Sequence, residues 1–472
     1  MKRVLLLMLS VVLGYSTTQA QNFTDVTGNL PQVQMSMVAW IDFDNDSDLD
    51  LYISGDLPTS DIGGGLFRND NGTFVEVANS GLPLLDTGQA VSADFNNDGN
   101  MDLAIMGYDG NGGSTDIYYN NGDGTFSAAN AGFPPTYMGD ISAVDINNDG
   151  KMDVAFTGME TVGPSNITKI YIQEAGNVFN ELPGTSFPGM NFGKMQFGDY
   201  DNDGYPDFIL NGWGPTNVYT KIWHNDNGTA FTETSIPFFQ SWLGDLQWGD
   251  VDGDGDLDLM VSGVGGSTGD ERHTTLNINN GDGTFTESTL VTFEGLSHSA
   301  IELFDFDNNG TTDIFLTGAN DTPGVGSYYS RFYSGRGNGI FIENTSFFAS
   351  AENYGDAKAA DFDNDGDIDL IITGSGSTNA PETKLWRNET ISLSVSNINT
   401  IDFSIYPNPS NGQINIQTKI SGNHHLIVTD LTGKTVYQTH FEGIENKLNL
   451  SFLHKGIYMI KLDNSIKKLM LY

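Results

Sequence analysis

Asp250-Val251-Asp252-Gly253-Asp254-Gly255-Asp256-Leu257-Asp258 places an acid at five of the odd positions of a nine-residue stretch. Glycine at the sixth position lets the backbone curl, so oxygens at positions 1, 3, 5 and 9 and the backbone carbonyl of position 7 turn toward one point. Hard carboxylate donors without His or Cys select Ca2+ over zinc or copper. Mg2+ is disfavoured because it demands stricter octahedral geometry and keeps its waters. A helical calcium hand would place a bidentate Glu at position 12, where this copy has Val261. The ninth Asp must therefore close the loop, with a strand following at once.

The stretch recurs seven times, beginning at Asp42, Asp94, Asp145, Asp199, Asp250, Asp305 and Asp361, and position 12 is apolar in every copy. The candidate metal ligands are Asp42, Asp44, Asp46, Asp48 and Asp50; Asp94, Asn96, Asp98, Asn100 and Asp102; Asp145, Asn147, Asp149, Lys151 and Asp153; and Asp199, Asp201, Asp203, Tyr205 and Asp207. The last three copies add Asp250, Asp252, Asp254, Asp256 and Asp258; Asp305, Asp307, Asn309, Thr311 and Asp313; and Asp361, Asp363, Asp365, Asp367 and Asp369. The seventh-position residues enter only through their carbonyls. Asn96, Asn147 and Asn309 each replace a carboxylate, which predicts weaker sites, and Ser47 replaces the turn glycine. Up to seven Ca2+ ions, one per repeat, are expected to stabilise the fold and take no part in catalysis.

Each copy is followed by an apolar run, a glycine five positions after its last Asp (Gly55, Gly107, Gly158, Gly212, Gly263, Gly318, Gly374), and an aromatic strand with a turn, as in Ile117–Phe126. A period near fifty with four short strands per unit is the pattern of a β-propeller blade, and no segment sustains a helical period. The seventh unit stops at Asn388 without its last strand. Phe23-Thr24-Asp25-Val26 resembles that strand as it stands in Phe74-Val75-Glu76-Val77. An open ring would leave unpaired edges. The expected fold is all-β: a seven-bladed β-propeller closed by an N-terminal strand, followed by a small Ig-like β-sandwich.

Ala93-Asp94-Phe95-Asn96-Asn97-Asp98-Gly99-Asn100-Met101-Asp102-Leu103, with Asn121-Gly122-Asp123-Gly124-Thr125-Phe126, resembles the FG-GAP/VCBS repeats of integrin-α-like propellers across residues 22–388. The resemblance implies the propeller fold. Its relatives include adhesion receptors, lectins and modules of polysaccharide-active proteins.

The two ends of the chain carry different signals. Lys2 and Arg3, the apolar stretch Val4–Leu13, and small residues Thr18 and Ala20 read as a secretory signal peptide over residues 1–20, with Gln21 first in the mature chain. From Thr390 the charge changes sign, with seven Lys and no Arg against five acids, so 390–401 reads as a linker between a domain at 21–389 and one at 402–472. In that tail, strands are expected at Gln413–Gln417, His425–Thr429, Thr435–Thr439, Lys447–Ser451 and Gly456–Leu462. Phe403-Ser404-Ile405-Tyr406-Pro407-Asn408-Pro409, Val428–Lys434 and Lys455-Gly456-Ile457-Tyr458 resemble the C-terminal sorting domain of type IX secretion cargo. That resemblance implies the type IX secretion machinery as a partner. It also implies export across a Gram-negative outer membrane, ending in release or surface attachment.

Composition narrows the function further. The 472 residues carry 20 Lys+Arg against 61 Asp+Glu, a formal charge of −41, which argues against nucleic-acid binding. The absence of Cys excludes disulfides, thiolate metal sites, Cys nucleophiles and a lipoprotein anchor. No apolar run is long enough to span a membrane. No nucleophile elbow, zinc helix or phosphate loop appears. His224 shares a strand position with Arg68 and Tyr119 and reads as structural.

Most aromatics coincide between repeats and read as core: Trp40 with Trp248, and Trp223 with Trp386, Tyr118 and Tyr171. Trp213 and Trp242 stand apart and are expected close together on the face away from the acidic loops. Exposed indoles there suit sugar rings or a protein partner. Tyr108, Tyr137, Arg272 and His273 are secondary candidates on that face. The expected function is a non-catalytic, calcium-dependent binding or adhesion module for glycan or protein, with a polysaccharide lyase or hydrolase on the same face as the alternative.

Overall fold

The computed structural model describes residues 23–389, except 164, 185, 266–270, 323–324, 345–353 and 377–378, and residues 403–471, except 430–433, 454 and 463–464. The segments read as signal peptide and linker lie outside the described residues. The chain divides into two compact units, Met1–Thr390 and Ile391–Tyr472. All regular elements among the described residues are strands.

In the first unit those strands form seven antiparallel sheets. The first sheet runs Gln34–Ile41, Asp50–Asp56, Ile62–Asn69, Phe74–Glu76 in spatial order, and the others repeat this meander. The acidic nonamers join first to second strands. Second strands such as Leu51-Tyr52-Ile53 and Phe208-Ile209-Leu210 are fully buried, which explains their unbroken apolar runs.

The recurrent glycine in the second strand answers to close packing. A Cβ at Gly55 would lie 2.6 Å from the Gln34 carbonyl oxygen, and one at Gly107 2.7 Å from that of Asp86. Any side chain there would push first and second strands apart.

Neighbouring sheets are held by apolar clusters. Met37, Tyr52, Leu103 and Phe126 join the first sheet to the second, and Leu30, Val38, Leu51, Phe362 and Ile371 join the last to the first. Phe23–Asp25 pairs antiparallel with Pro381–Asn388, Phe23 opposite Asn388 and Asp25 opposite Trp386. Val26 N–H extends this pairing by donating to Leu385 at 2.8 Å. The strand missing from the last repeat is thus supplied by the start of the chain.

In the second unit the described strands belong to one five-stranded sheet. The pairs of short strands expected from the pattern are continuous: Gln413–Thr429 and Thr435–Asn449 run past each other, with a register shift between Gln417 and Gly422. The expected breaks correspond to this bulge, where Gly422 faces Gly443. Ser410 bridges Leu471 in parallel, bringing opposite ends of the sheet together over a core that includes Phe403, Ile416, Leu426 and Ile460.

Candidate metal loops and the opposite face

The ninth-position carboxylates (Asp50, Asp102, Asp153, Asp207, Asp258, Asp313, Asp369) are completely buried. One oxygen accepts the N–H of loop position 2, as from Phe43 to Asp50 at 3.0 Å and Phe95 to Asp102 at 3.0 Å. The other accepts an N–H from the end of the third strand, as from Asn69 to Asp50 at 2.8 Å and Asn225 to Asp207 at 2.7 Å. Burial pushes these carboxyls up, to about 6 in Asp102, Asp153 and Asp258, about 7 in Asp50, Asp207 and Asp313, and about 8 in Asp369. Like charges from the same loop add to the effect.

First-position carboxylates shape the turn. Asp199 accepts from Asp203 N–H at 3.0 Å and Gly204 N–H at 2.9 Å, and Asp361 from Asp365 at 3.1 Å and Gly366 at 3.0 Å. The sixth position is left-handed in every loop, with φ of 83° to 95° in six glycines and 75° in Ser47. A Cβ at Gly99, Gly150, Gly204, Gly255, Gly310 or Gly366 would meet nothing within 4 Å, so the preference for glycine is torsional.

Seventh-position side chains turn sideways. Asn100 and Asp256 accept from Asn45 at 2.9 Å and Asn202 at 2.7 Å, and Asp48 accepts from Asn364 at 3.1 Å, each donor being the fourth residue of a neighbouring loop. Asp367 takes the same bond from Asn308. Lys151 pairs with Asp149 at 2.5 Å, Thr311 bonds Asn309, and Tyr205 N–H donates to Asp203 at 2.9 Å.

The remaining acids converge. Single oxygens of Asp42, Asp44 and Asp50 lie within 4.8 Å of one another, as do those of Asp199, Asp201 and Asp203, of Asp250, Asp252 and Asp254, and of Asp305, Asp307 and Asp313. Oδ1 of Asp307 and Oδ1 of Asp363, both third-position groups, are buried with no hydrogen-bond partner. Buried acceptor oxygens without a donor are costly. An oxygen-only donor set with idle, inward oxygens fits a hard divalent cation.

One residue set aside in the sequence belongs to these loops. His224 Nδ1 lies 3.2 Å from Asp201 Oδ2 and 3.1 Å from Asp207 Oδ1. Arg387, at the same strand position, approaches Asp363 at 3.9 Å, and Ser334 Oγ donates to Asp307 Oδ2 at 2.6 Å. The next-to-last residue of the third strand therefore faces loop position 3. The alignment of His224 with Arg68 was the available signal.

On the opposite face, Trp213 ends its strand 42% exposed and meets Trp242 edge to face, with centroids 5.0 Å apart. Trp242 Nε1 is buried without a hydrogen-bond partner, and its ring touches Phe192 at 6.2 Å. The pair has an equivalent in two of the secondary candidates: Tyr108 and Tyr137 hold the same positions between the second and third sheets, 5.4 Å apart. His273 lies 4.2 Å from Phe239, and Arg272 Nε reaches Ser297 at 3.5 Å. Between the first and second sheets Asp56 and Asp86 occupy these places, and burial together with Asp56 pushes Asp86 up to about 6.

A family model described as an FG-GAP-like repeat matches residues 42–105, 94–156, 199–261 and 305–372, together just over half of the chain. One described as a secretion system C-terminal sorting domain matches residues 404–471. No curated protein matches the chain. Similar solved structures include a fungal alcohol oxidase in complex with copper, at 12% identity, covering 96% of this chain and 100% of that one with a TM-score of 0.48. A putative glycoside hydrolase from Parabacteroides distasonis is similar at 11% identity over 55% and 87%, with a TM-score of 0.29. PorZ, a surface component of the type-IX secretion system of Porphyromonas gingivalis, is similar at 13% identity over 92% and 81%, with a TM-score of 0.19. At these values none of the three speaks to ligand or chemistry.

Proposed function

The chain belongs to the FG-GAP-like repeat family, and we propose that it is a calcium-dependent binding module that holds a glycan or protein ligand on the face away from its acidic loops. Its sorting domain directs it through the type IX secretion system to the cell surface or beyond. Among the described residues no helix is long and apolar enough to cross a membrane. In this reading the seven sheets are blades of a closed seven-bladed propeller, and the tail is an Ig-like domain recognised by the secretion machinery.

Ca2+ would be held in each loop by the side-chain oxygens at positions 1, 3, 5 and 9, one of them from Asn in three loops, where it supplies the charge neutralisation that crowded carboxylates lack. The converging donor oxygens and the idle oxygens of Asp307 and Asp363 support this role. The exposed ring of Trp213 against Trp242 carries the ligand reading, because a large aromatic surface left to solvent is the usual anchor of an interface.

A glycan array run with calcium and with chelator, beside an activity screen on plant and algal polysaccharides, tests the proposal. Calcium-dependent binding without turnover is the expected result. Turnover would favour the second reading, a polysaccharide-processing enzyme, for which the buried Asp86 beside Asp56 supplies a raised carboxyl on the same face.

A further inference from the structure

The first strands of the seven sheets begin on the face opposite the acidic loops, and each begins with the same backbone irregularity. Met35, Thr87, Met138, Phe192, Leu243, His298 and Tyr354 all have φ between 45° and 56°. None is glycine, so each is held in a disfavoured conformation. The next residue is Gly in five cases and Ser in two. A Cβ at Gly139 would lie 1.8 Å from the Thr157 carbonyl oxygen and one at Gly355 1.7 Å from that of Thr373. Backbone bonds tie one such residue to the next, from Met35 N–H to Tyr354 at 2.6 Å, Phe192 to Met138 at 2.8 Å and His298 to Leu243 at 2.5 Å. Irregularities of this kind re-aim side chains, and here they aim one from every sheet at a shared space.

That space is a pocket of about 260 Å³ lined by all seven. Its size lies just under the roughly 300–1,000 Å³ of drug-sized sites, so it suits a single ring with a short arm. Its walls are two methionines, Phe192, Leu243 and the contacting rings of His298 and Tyr354, with centroids 3.8 Å apart. Thioether sulfur and aromatic edges favour an aromatic guest.

Among the described residues that line the pocket, the one with a permanent charge is Lys194. Its ammonium lies 3.8 Å from Asp140 Oδ1, longer than a hydrogen bond, which leaves donor capacity toward the pocket. Behind it, Lys358 lies 3.4 Å from Asp356 and 3.7 Å from Glu302. Even with Glu302 held neutral, Asp140, Asp245 and Asp356 outnumber Lys194 and Lys358, so an added anion is repelled, while a cation at the floor would lie against the Lys194 ammonium. An uncharged acceptor oxygen suits the floor.

We propose that this axial pocket binds an uncharged aryl carbonyl group, with the ring among Met35, Met138 and Phe192 and the carbonyl oxygen accepting a hydrogen bond from Lys194. The site is separate from the metal loops and goes beyond the ligand reading above.

The test titrates the full chain, in calcium, with benzamide, methyl benzoate, benzoate, benzylamine and toluene. Tryptophan fluorescence follows binding through Trp242, whose ring touches Phe192. Benzamide and methyl benzoate are expected to bind at least tenfold more tightly than benzoate or benzylamine. Lys194→Met should weaken benzamide at least tenfold while leaving toluene within about twofold. Met138→Trp, which fills the pocket from a lining position, should abolish all binding and leave calcium-dependent melting unchanged. Tighter binding of benzoate or benzylamine, an unchanged benzamide affinity in Lys194→Met, or saturable binding in Met138→Trp overturns the proposal. If Lys194→Met does not fold, the charge series and Met138→Trp still decide.

Discussion

The side-chain amide of Asn69 donates a hydrogen bond to the backbone carbonyl of Phe362 at 2.8 Å, across 293 residues of sequence. The same amide also reaches the Leu49 carbonyl at 3.1 Å. The bond joins the first sheet to the last and is one of a set. Asn120 reaches Phe43 at 2.7 Å, Asn225 reaches Ile146 at 3.0 Å, Asn279 reaches Tyr200 at 2.7 Å and Asn388 reaches Phe306 at 2.8 Å. Gln173 makes the equivalent bond to Phe95. In the sixth sheet Gly335 stands at this place, and the Thr312 hydroxyl donates to Asp250 at 2.7 Å instead. Each of these Asn residues, and Gln173, lies at or next to the end of its third strand and uses its own backbone N–H to hold a ninth-position Asp, so loop closure and sheet-to-sheet contact share one residue.

Asn69→Ala should therefore destabilise the first unit by about 1–3 kcal/mol, the cost of leaving buried carbonyls unpaired. Urea unfolding in saturating calcium measures it. Asn225→Ala, an internal junction, should cost a similar amount, whereas loss at exposed Asn121 should cost almost nothing. Equal effects at all three positions would contradict the assignment.

Ser47→Gly should stabilise by about 1 kcal/mol, because Ser47 alone among the sixth-position residues carries a Cβ at φ 75°. Gly204→Ala should cost about 1–2 kcal/mol for the same reason. Thermal melts of both variants in calcium check the sign, and no change in either would place the glycine preference elsewhere.

Burial holds the Glu302 carboxyl up to about 8, against the pull of Lys358, with Asp356 and Asp245 adding to the rise. A raised carboxyl means the folded chain binds more protons than the unfolded chain. Its contribution to stability is full at acid pH and fades as pH rises from about 4.5 to 8. Glu302→Gln does not titrate, so its stability relative to wild type should rise by on the order of a few kcal/mol between pH 5 and 9. Denaturant unfolding across that range reads the difference, and a flat difference would contradict it.

Trp213→Ala should weaken ligand binding at least tenfold, the effect of removing about 1.4 kcal/mol or more of anchor contact. Melting in calcium should shift by no more than about 1 °C, since the ring is substantially exposed. A large loss of stability with retained binding would make the indole a packing residue.

Much of this was legible because the nonamer fixes chemistry and spacing together. The acids, the glycine turn, the apolar second strand and the orphan strand at Phe23 all follow from local pattern, and the two indoles were placed on one face by topology alone. The intersheet amides were not legible, because Gln173 and Gly335 interrupt the series of Asn. The axial residues were hidden more deeply, since Met, Thr, Phe, Leu, His and Tyr share no side-chain chemistry and only their backbone torsion is common. His224 was read as structural, and that its ring lies against Asp201 and Asp207 was not legible, because an aligned position says nothing about which way a strand residue faces until its register is known. In the tail, glycine marked a bulge inside long strands and was taken for their end.

Thermal melting of the same preparation in millimolar calcium and then in EDTA tests the central claim, that divalent cations hold these loops as part of the fold. With each site tenfold above its dissociation constant, linkage gives about 1.4 kcal/mol per site. Seven sites then lower the midpoint by on the order of 10 °C when stripped, with recovery when calcium is restored. A midpoint that stays in place in EDTA would contradict the account.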